Sequence, residues 1–140
     1  MIKIYGVLLT FSPAAADTIS RFLRDSGTKP TDYDMILTGD LGRIGSQLLH
    51  ELMNKDGFDI TSVHHDAGVM MFDPKTQDVH AGGSGCGCIG SIFCSYIMGK
   101  LKEGSLNNIL LCATGALMST TSGQQGDSIP SICHLLHIKA

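Results

Sequence analysis

Thirteen consecutive residues, Cys86 to Met98, carry no charged side chain, and the turn in front of them holds four glycines in six positions (Gly82, Gly83, Gly85, Gly87). This pair of features limits the fold more than any other stretch. The spacing predicts a helix over about Cys86 to Glu103, yet a surface helix returns a polar face every third or fourth residue, and this one returns none. It must be buried on nearly every side. A two-layer domain of 140 residues covers only one face of such a helix, so the other face is expected to meet a further layer, with Gly87, Gly90, Ser91, Cys94 and Ser95 permitting close backbone approach. The glycines let backbone N–H groups face a ligand or a packed neighbour, and the following helix start makes the junction a candidate anion site. A nucleotide motif is not present. GxGxxG read from Gly83 needs a glycine where Cys88 stands, and no Gly-Lys-Ser/Thr follows.

The remaining pattern alternates strands and helices. Ile2 to Leu9 reads as a strand. Pro13 opens a helix with Ser12 as its cap and Ile19, Phe22 and Leu23 on its apolar face, and Gly27 ends it. Tyr33 to Thr38 is a short strand, and Gly39-Asp40-Leu41-Gly42 is the turn into a helix over about Arg43 to Asn54. Gly68 to Phe72 reads as a brief strand, Asn107 to Ala113 as a buried one, and Ser131 to Ile138 as the last. Crossovers of this length imply a parallel sheet covered on both faces, while the final two strands, with no helix between them, are expected to be antiparallel neighbours. The expected fold class is therefore α/β, a mixed, mostly parallel five-stranded sheet in a single domain over residues 1–140.

Composition excludes several function classes. A net charge of −3 with no basic run lacks the footprint of a nucleic-acid binder. The apolar windows around Ile89 to Met98 and Ile109 to Met118 fall short of a membrane span, and the first residues lack the features of a secretory signal. Five cysteines, an odd number at irregular spacing, fit a reducing compartment. The Cys86-x-Cys88 pair with His80 suggests a metal, but a structural zinc site needs four ligands and no second cluster is evident. Small-residue packing is the stronger reading. Cys94, Cys112 and Cys133 read as core residues. In His64-His65-Asp66, adjacent residues of an extended segment point to opposite sides, so the three cannot all converge, and a polar strand entrance is the simpler account. His80 is the better candidate because it sits at the lip of the glycine loop. Asp40 reads equally as a helix cap and as a pocket residue, and His134 and His137 as strand residues without chemical role.

Several motifs carry a resemblance over nearly the whole chain: Pro13-Ala14-Ala15-Ala16-Asp17-Thr18, Tyr33-Asp34-Met35-Ile36-Leu37-Thr38-Gly39-Asp40-Leu41-Gly42, Gln77-Asp78-Val79-His80-Ala81-Gly82-Gly83-Ser84-Gly85-Cys86-Gly87-Cys88, Ala113-Thr114-Gly115-Ala116-Leu117 and Gln124-Gln125-Gly126-Asp127-Ser128-Ile129-Pro130. Together they resemble the C-terminal half of the stage V sporulation protein AD (SpoVAD) family of spore-forming bacteria, which is itself similar to thiolases and β-ketoacyl synthase III. The resemblance implies a thiolase-like half-domain whose uncharged helix belongs to a central layer, completed by an N-terminal half or by a homo-oligomer. Condensing enzymes of that superfamily take their cysteine nucleophile from the other half and a His with a second His or Asn from this one. By position, Asp40 and Ser84 stand at those two places. The resemblance therefore implies a non-catalytic protein without cofactor. It further implies binding of dipicolinic acid, as its calcium chelate, for uptake into the spore, in company with other SpoVA proteins at the spore inner membrane. Asp40, His80, Gly83, Ser84, Gly85 and Cys86 are the expected ligand-binding residues. The alternative is an acyltransferase half of the β-ketoacyl synthase III type, to be recognised by a Cys, His, His or Cys, His, Asn set spread over the two halves.

Overall fold

The computed structural model describes residues 2–82, 85–116, 125 and 129–140. Four strands form one sheet: β1 (Met35–Thr38), β2 (His64–Asp66), β3 (Asn108–Ala116) and β4 (Ser131–Lys139), in the order β2-β1-β3-β4. β1 is parallel to both neighbours, and β3 pairs antiparallel with β4 from Asn108↔Lys139 to Ala116↔Ser131. The sheet is mixed and mostly parallel at its centre, as the spacing predicts.

It has four strands rather than five because Ile2 to Leu9 is not a strand. Those residues are the first turns of α1 (Ile2–Ser26), which runs unbroken through Pro13. Pro13 has no N–H for the carbonyl four residues earlier, the usual reason to start a helix there. Ser12, expected as the cap, is instead fully buried, and its hydroxyl donates to the Gly45 carbonyl at 2.8 Å. That contact pins α1 to α2 (Gly42–Lys55), and tertiary packing outweighs the local signal.

The second correction concerns residues 64–70. Strand β2 occupies the His-His-Asp run, and the segment expected as a strand from Gly68 begins instead as a helical turn, α3 (Ala67–Met70). Asp66 decides this as the N-cap: its carboxylate accepts from Val69 N at 3.2 Å, satisfying an N–H that the helix itself leaves free.

α1 and α2 cover one face of the sheet, enclosing Ala15, Ile19, Leu23, Ile36, Leu49, Met53, Leu110 and Cys112. The other face packs Met35, Leu37 and Ile109 against Ala67, Cys88, Ile97 and Leu106. There the uncharged segment runs as α4 (Cys88–Ile92), a π-helical turn (Phe93–Ile97) and α5 (Met98–Lys102) in direct succession. Cys88 and Ile97 are buried, whereas Gly90, Ser91, Cys94, Ser95 and Tyr96 face outward. The helix is thus uncharged over residues 88–99 and covered on one side only.

Candidate functional site

Three parallel strands end at one edge of the sheet, and the segments leaving those carboxyl ends form the candidate site, the usual crevice of an open α/β sheet. The β1–α2 turn carries Asp40, β2 ends in Asp66, and β3 contributes Thr114. Within β1, Ile36 and Thr38 point to the α1/α2 face, and the parallel register sets His64 beside Ile36 and Asp66 beside Thr38 on that same face.

Asp66 is the hub of the arrangement. Only 3% exposed, its carboxylate accepts from Thr38 Oγ1 (2.7 Å), Leu41 N (3.0 Å), Gly42 N (2.9 Å) and Val69 N (3.2 Å). Burial pushes its pKa up, and the four donors pull it back. The amides of Leu41 and Gly42 directly follow Asp40, so Asp66 fixes the turn in which Asp40 stands. It also satisfies the start of α2, whose Arg43 N donates to Ala81 O at 2.7 Å, leaving these three amides no role in holding an external anion.

Asp40 is 8% exposed. Its Oδ1 accepts from the Thr114 hydroxyl at 3.0 Å and its Oδ2 from Gly85 N at 3.1 Å. It is neither the cap of α2 nor an open pocket carboxylate: it ties the end of β3 to the glycine loop. That loop lies against the turn backbone to backbone. Gly42 has φ +66, and a Cβ there would stand 2.7 Å from Ala81 O; at Gly82, φ +116, it would stand 2.8 Å from Gly68 O. Both positions exclude any side chain on distance and on backbone conformation.

Of the other expected ligand-binding residues, Gly85 and Cys86 are exposed, with the Gly85 amide turned inward onto Asp40. Gly83 and Ser84 lie outside the described residues. His80 has φ +48 and a side chain 90% exposed, its Nδ1 3.7 Å from Asp78 Oδ1. Its carbonyl accepts from the Arg43 guanidinium, and Arg43, Val69, Phe72, Pro74, Val79, His80 and Gly82 line a small pocket beside the loop. Cys88, behind the loop, is buried, and burial, then the charges of Asp66 and Asp40, push its thiol pKa up. Among the described residues no group of three or more His, Cys, Asp or Glu has the geometry of a metal site.

Two histidines that sequence reasoning leaves aside join this network. His64 Nε2 lies 2.9 Å from Thr38 Oγ1, and His64 Nδ1 lies 2.8 Å from His50 Nε2 on α2, the two rings edge to face. Burial, reinforced by His50 and His65, pushes the His64 pKa down to about 3. The signal was the His-x-Asp spacing: in a strand, positions two apart share a face, and His64 and Asp66 meet the same hydroxyl while His65 is exposed.

A family model described as stage V sporulation protein AD (SpoVAD) matches residues 7–139. The chain belongs to that family. A curated relative, the stage V sporulation protein AD of Bacillus subtilis (strain 168), is 44% identical over 123 residues, which cover 88% of this chain and 36% of that protein. The chain thus spans about a third of its relative's length. The matched SpoVAD region takes in the Asp40 turn, the glycine loop and the His64-His65-Asp66 strand. No helix among the described residues is long and apolar enough to cross a membrane.

Proposed function

We propose that the chain is a non-catalytic, thiolase-like half of a SpoVAD-type sporulation protein, which binds dipicolinate as its calcium chelate for uptake into the spore once a complementary half is present. The observation that carries the non-catalytic reading is Asp40. At the place where the resemblance puts a condensing-enzyme histidine, this chain has a carboxylate that accepts hydrogen bonds from Thr114 and Gly85. A carboxylate repels a developing oxyanion, and so speaks against acyl transfer.

Ligand binding is supported by the place of the crevice at the strand ends and by its charges. Dipicolinate is a flat dianion. Arg43 and His80 stand at the pocket beside the loop, and a guanidinium suits a carboxylate. Calcium between the ligand and the acidic turn would offset the Asp40 charge. The outer face of the helical segment over residues 88–99, with Tyr96, and the bare β4 residues Ile132 and Leu136 are where the complementary half packs, and SpoVA proteins at the spore inner membrane are the partners in transport.

Calorimetry with dipicolinate, with and without calcium, on the chain joined to its complementary half tests this. Arg43→Gln is expected to weaken binding by roughly tenfold or more, the loss of one charge-assisted contact, and Ser84→Ala to weaken it less. Affinity unchanged in both variants would place the ligand elsewhere.

A further inference from the structure

Two cysteines that the candidate site does not use meet across β3 and β4. The antiparallel register sets Cys112 opposite Leu135 and Cys133 opposite Thr114, which makes the two cysteines diagonal neighbours. Both belong to the core on the α1/α2 face, and diagonal side chains on one face of a twisted antiparallel pair are within each other's reach. Here the sulfurs are in hydrogen-bond contact. The Cys112 thiol donates to Cys133, which raises the Cys112 pKa well above the ordinary thiol value and lowers that of Cys133, with burial opposing the second shift. The other thiols stand apart from this pair: Cys86 and Cys94 are exposed, and Cys88 lies against Met71.

We propose that Cys112 and Cys133 form a redox-modification site, a buried dithiol that hydrogen peroxide converts into a cross-strand disulfide stapling the edge strand β4 to β3. The reaction needs no ligand and stands apart from the function proposed above. Cys133 reacts first, because it keeps 7% exposure where Cys112 has none. Its thiolate sulfur bonds to one peroxide oxygen, the O–O bond breaks, and the departing hydroxide takes up the proton that the thiol gave up and leaves as water. Cys112 sulfur then attacks the resulting sulfenic acid: the S–S bond forms, the S–O bond breaks, and the hydroxide leaves as a second water with the Cys112 proton. The two thiols lose two electrons and two protons, and the peroxide is reduced to two waters. The bond falls where the sheet is least supported, since β4 is an edge strand with Ile132 and Leu136 bare. It also lies beside Thr114, which pairs with Cys133 and whose hydroxyl holds Asp40.

The full chain, with Cys86→Ser and Cys94→Ser removing the exposed thiols, is treated with hydrogen peroxide, quenched with iodoacetamide in denaturant and digested with trypsin. Between Lys102 and Lys139 there is no other Lys or Arg, so peptide 103–139 carries Cys112, Cys133 and no other cysteine. Both cysteines of that peptide should escape alkylation together, and dithiothreitol should return both. Closing the loop from Cys112 to Cys133 should also favour the folded state by about a hundredfold in urea unfolding, an upward shift of the midpoint that reductant removes. Cys112→Ser should lose both effects. Full alkylation of both cysteines after peroxide overturns the proposal, and so does protection of one cysteine alone. A disulfide that forms but lowers the urea midpoint overturns it as well, because the native sheet would then have to distort to make the bond. These outcomes are read on the chain with both cysteines in place, whether or not Cys112→Ser folds.

Discussion

The two faces of the sheet are built from similar residues to different ends. On the α1/α2 face, the helices cover the inner strands: Ile36, Leu110 and Cys112 are buried beneath Ile19, Leu23, Leu49 and Met53, and the edge strand β4 is covered at Cys133, whose carbonyl accepts from Thr18. On the opposite face the helical segment 88–102 and α3 cover the inner strands and reach β4 only at Ile138. Ile132 and Leu136 of β4 stay 53% and 59% exposed. One face is finished by the chain itself, and the other is made to be finished by something else. Polar chemistry follows the same division, since the network of buried Thr38 and Asp66 with half-buried His64 lies on the α1/α2 face.

The comparison breaks most visibly in folding stability. Leu49→Ala or Ile19→Ala should lower it by about 2–5 kcal/mol in urea unfolding, a buried-cavity effect, against less than about 0.5 kcal/mol for Leu136→Ala at the exposed position. Equal losses would mean that β4 is covered in solution.

The next largest effect separates the faces by pH. His64 stays neutral when folded, with its pKa at about 3, whereas unfolding restores the ordinary value of 6.5. The unfolded chain therefore takes up the proton first. Its contribution is complete above pH 6.5 and falls away as pH drops toward 3, by about 2 kcal/mol between pH 7.5 and 5. Asp66, with a raised pKa, acts in the opposite sense, and only around and above the ordinary carboxylate value. Urea melts at the two pH values should show this loss in wild type and not in His64→Gln.

The smallest expected effect belongs to the open face. Burial of its apolar surface favours association at roughly 25 cal/mol per Å² before the costs of association are subtracted. The isolated chain should self-associate in sedimentation at high micromolar concentration, and Ser91→Glu should weaken this about tenfold by setting an unpaired charge in the contact. A monomeric wild type would show that the open face needs its complementary half rather than a second copy.

Much of this division is legible in the sequence. The uncharged run from Cys86 shows that one helix face lacks a cover, and the helix-free link between the last two strands shows their antiparallel pairing. Asp40 is recognisable as a residue of interest from its Gly-flanked turn after a strand, but its partners are not, because Thr114 lies 74 residues away. Ser12 misleads because cap chemistry is local while its bond to Gly45 is tertiary. The His64–His50 contact is hidden for the same reason: strand alternation pairs His64 with Asp66, but nothing local places α2 beside them.

The π-helical turn at Phe93–Ile97 carries a consequence for how this helix tolerates insertions and deletions. Cys88 and Ile97 are nine positions apart, which in an uninterrupted α-helix sets them about 180° apart around the axis. One residue absorbed by the wider turn brings that to about 80°, so both side chains reach the sheet. The helix in effect contains a one-residue insertion that the wider turn absorbs. Deleting one residue between Phe93 and Tyr96 would regularise the hydrogen bonding and leave Cys88 and Ile97 eight positions apart, still about 80° around the axis and still facing Leu37 and Ile109, whereas adding a residue there would swing Ile97 and all that follows it away.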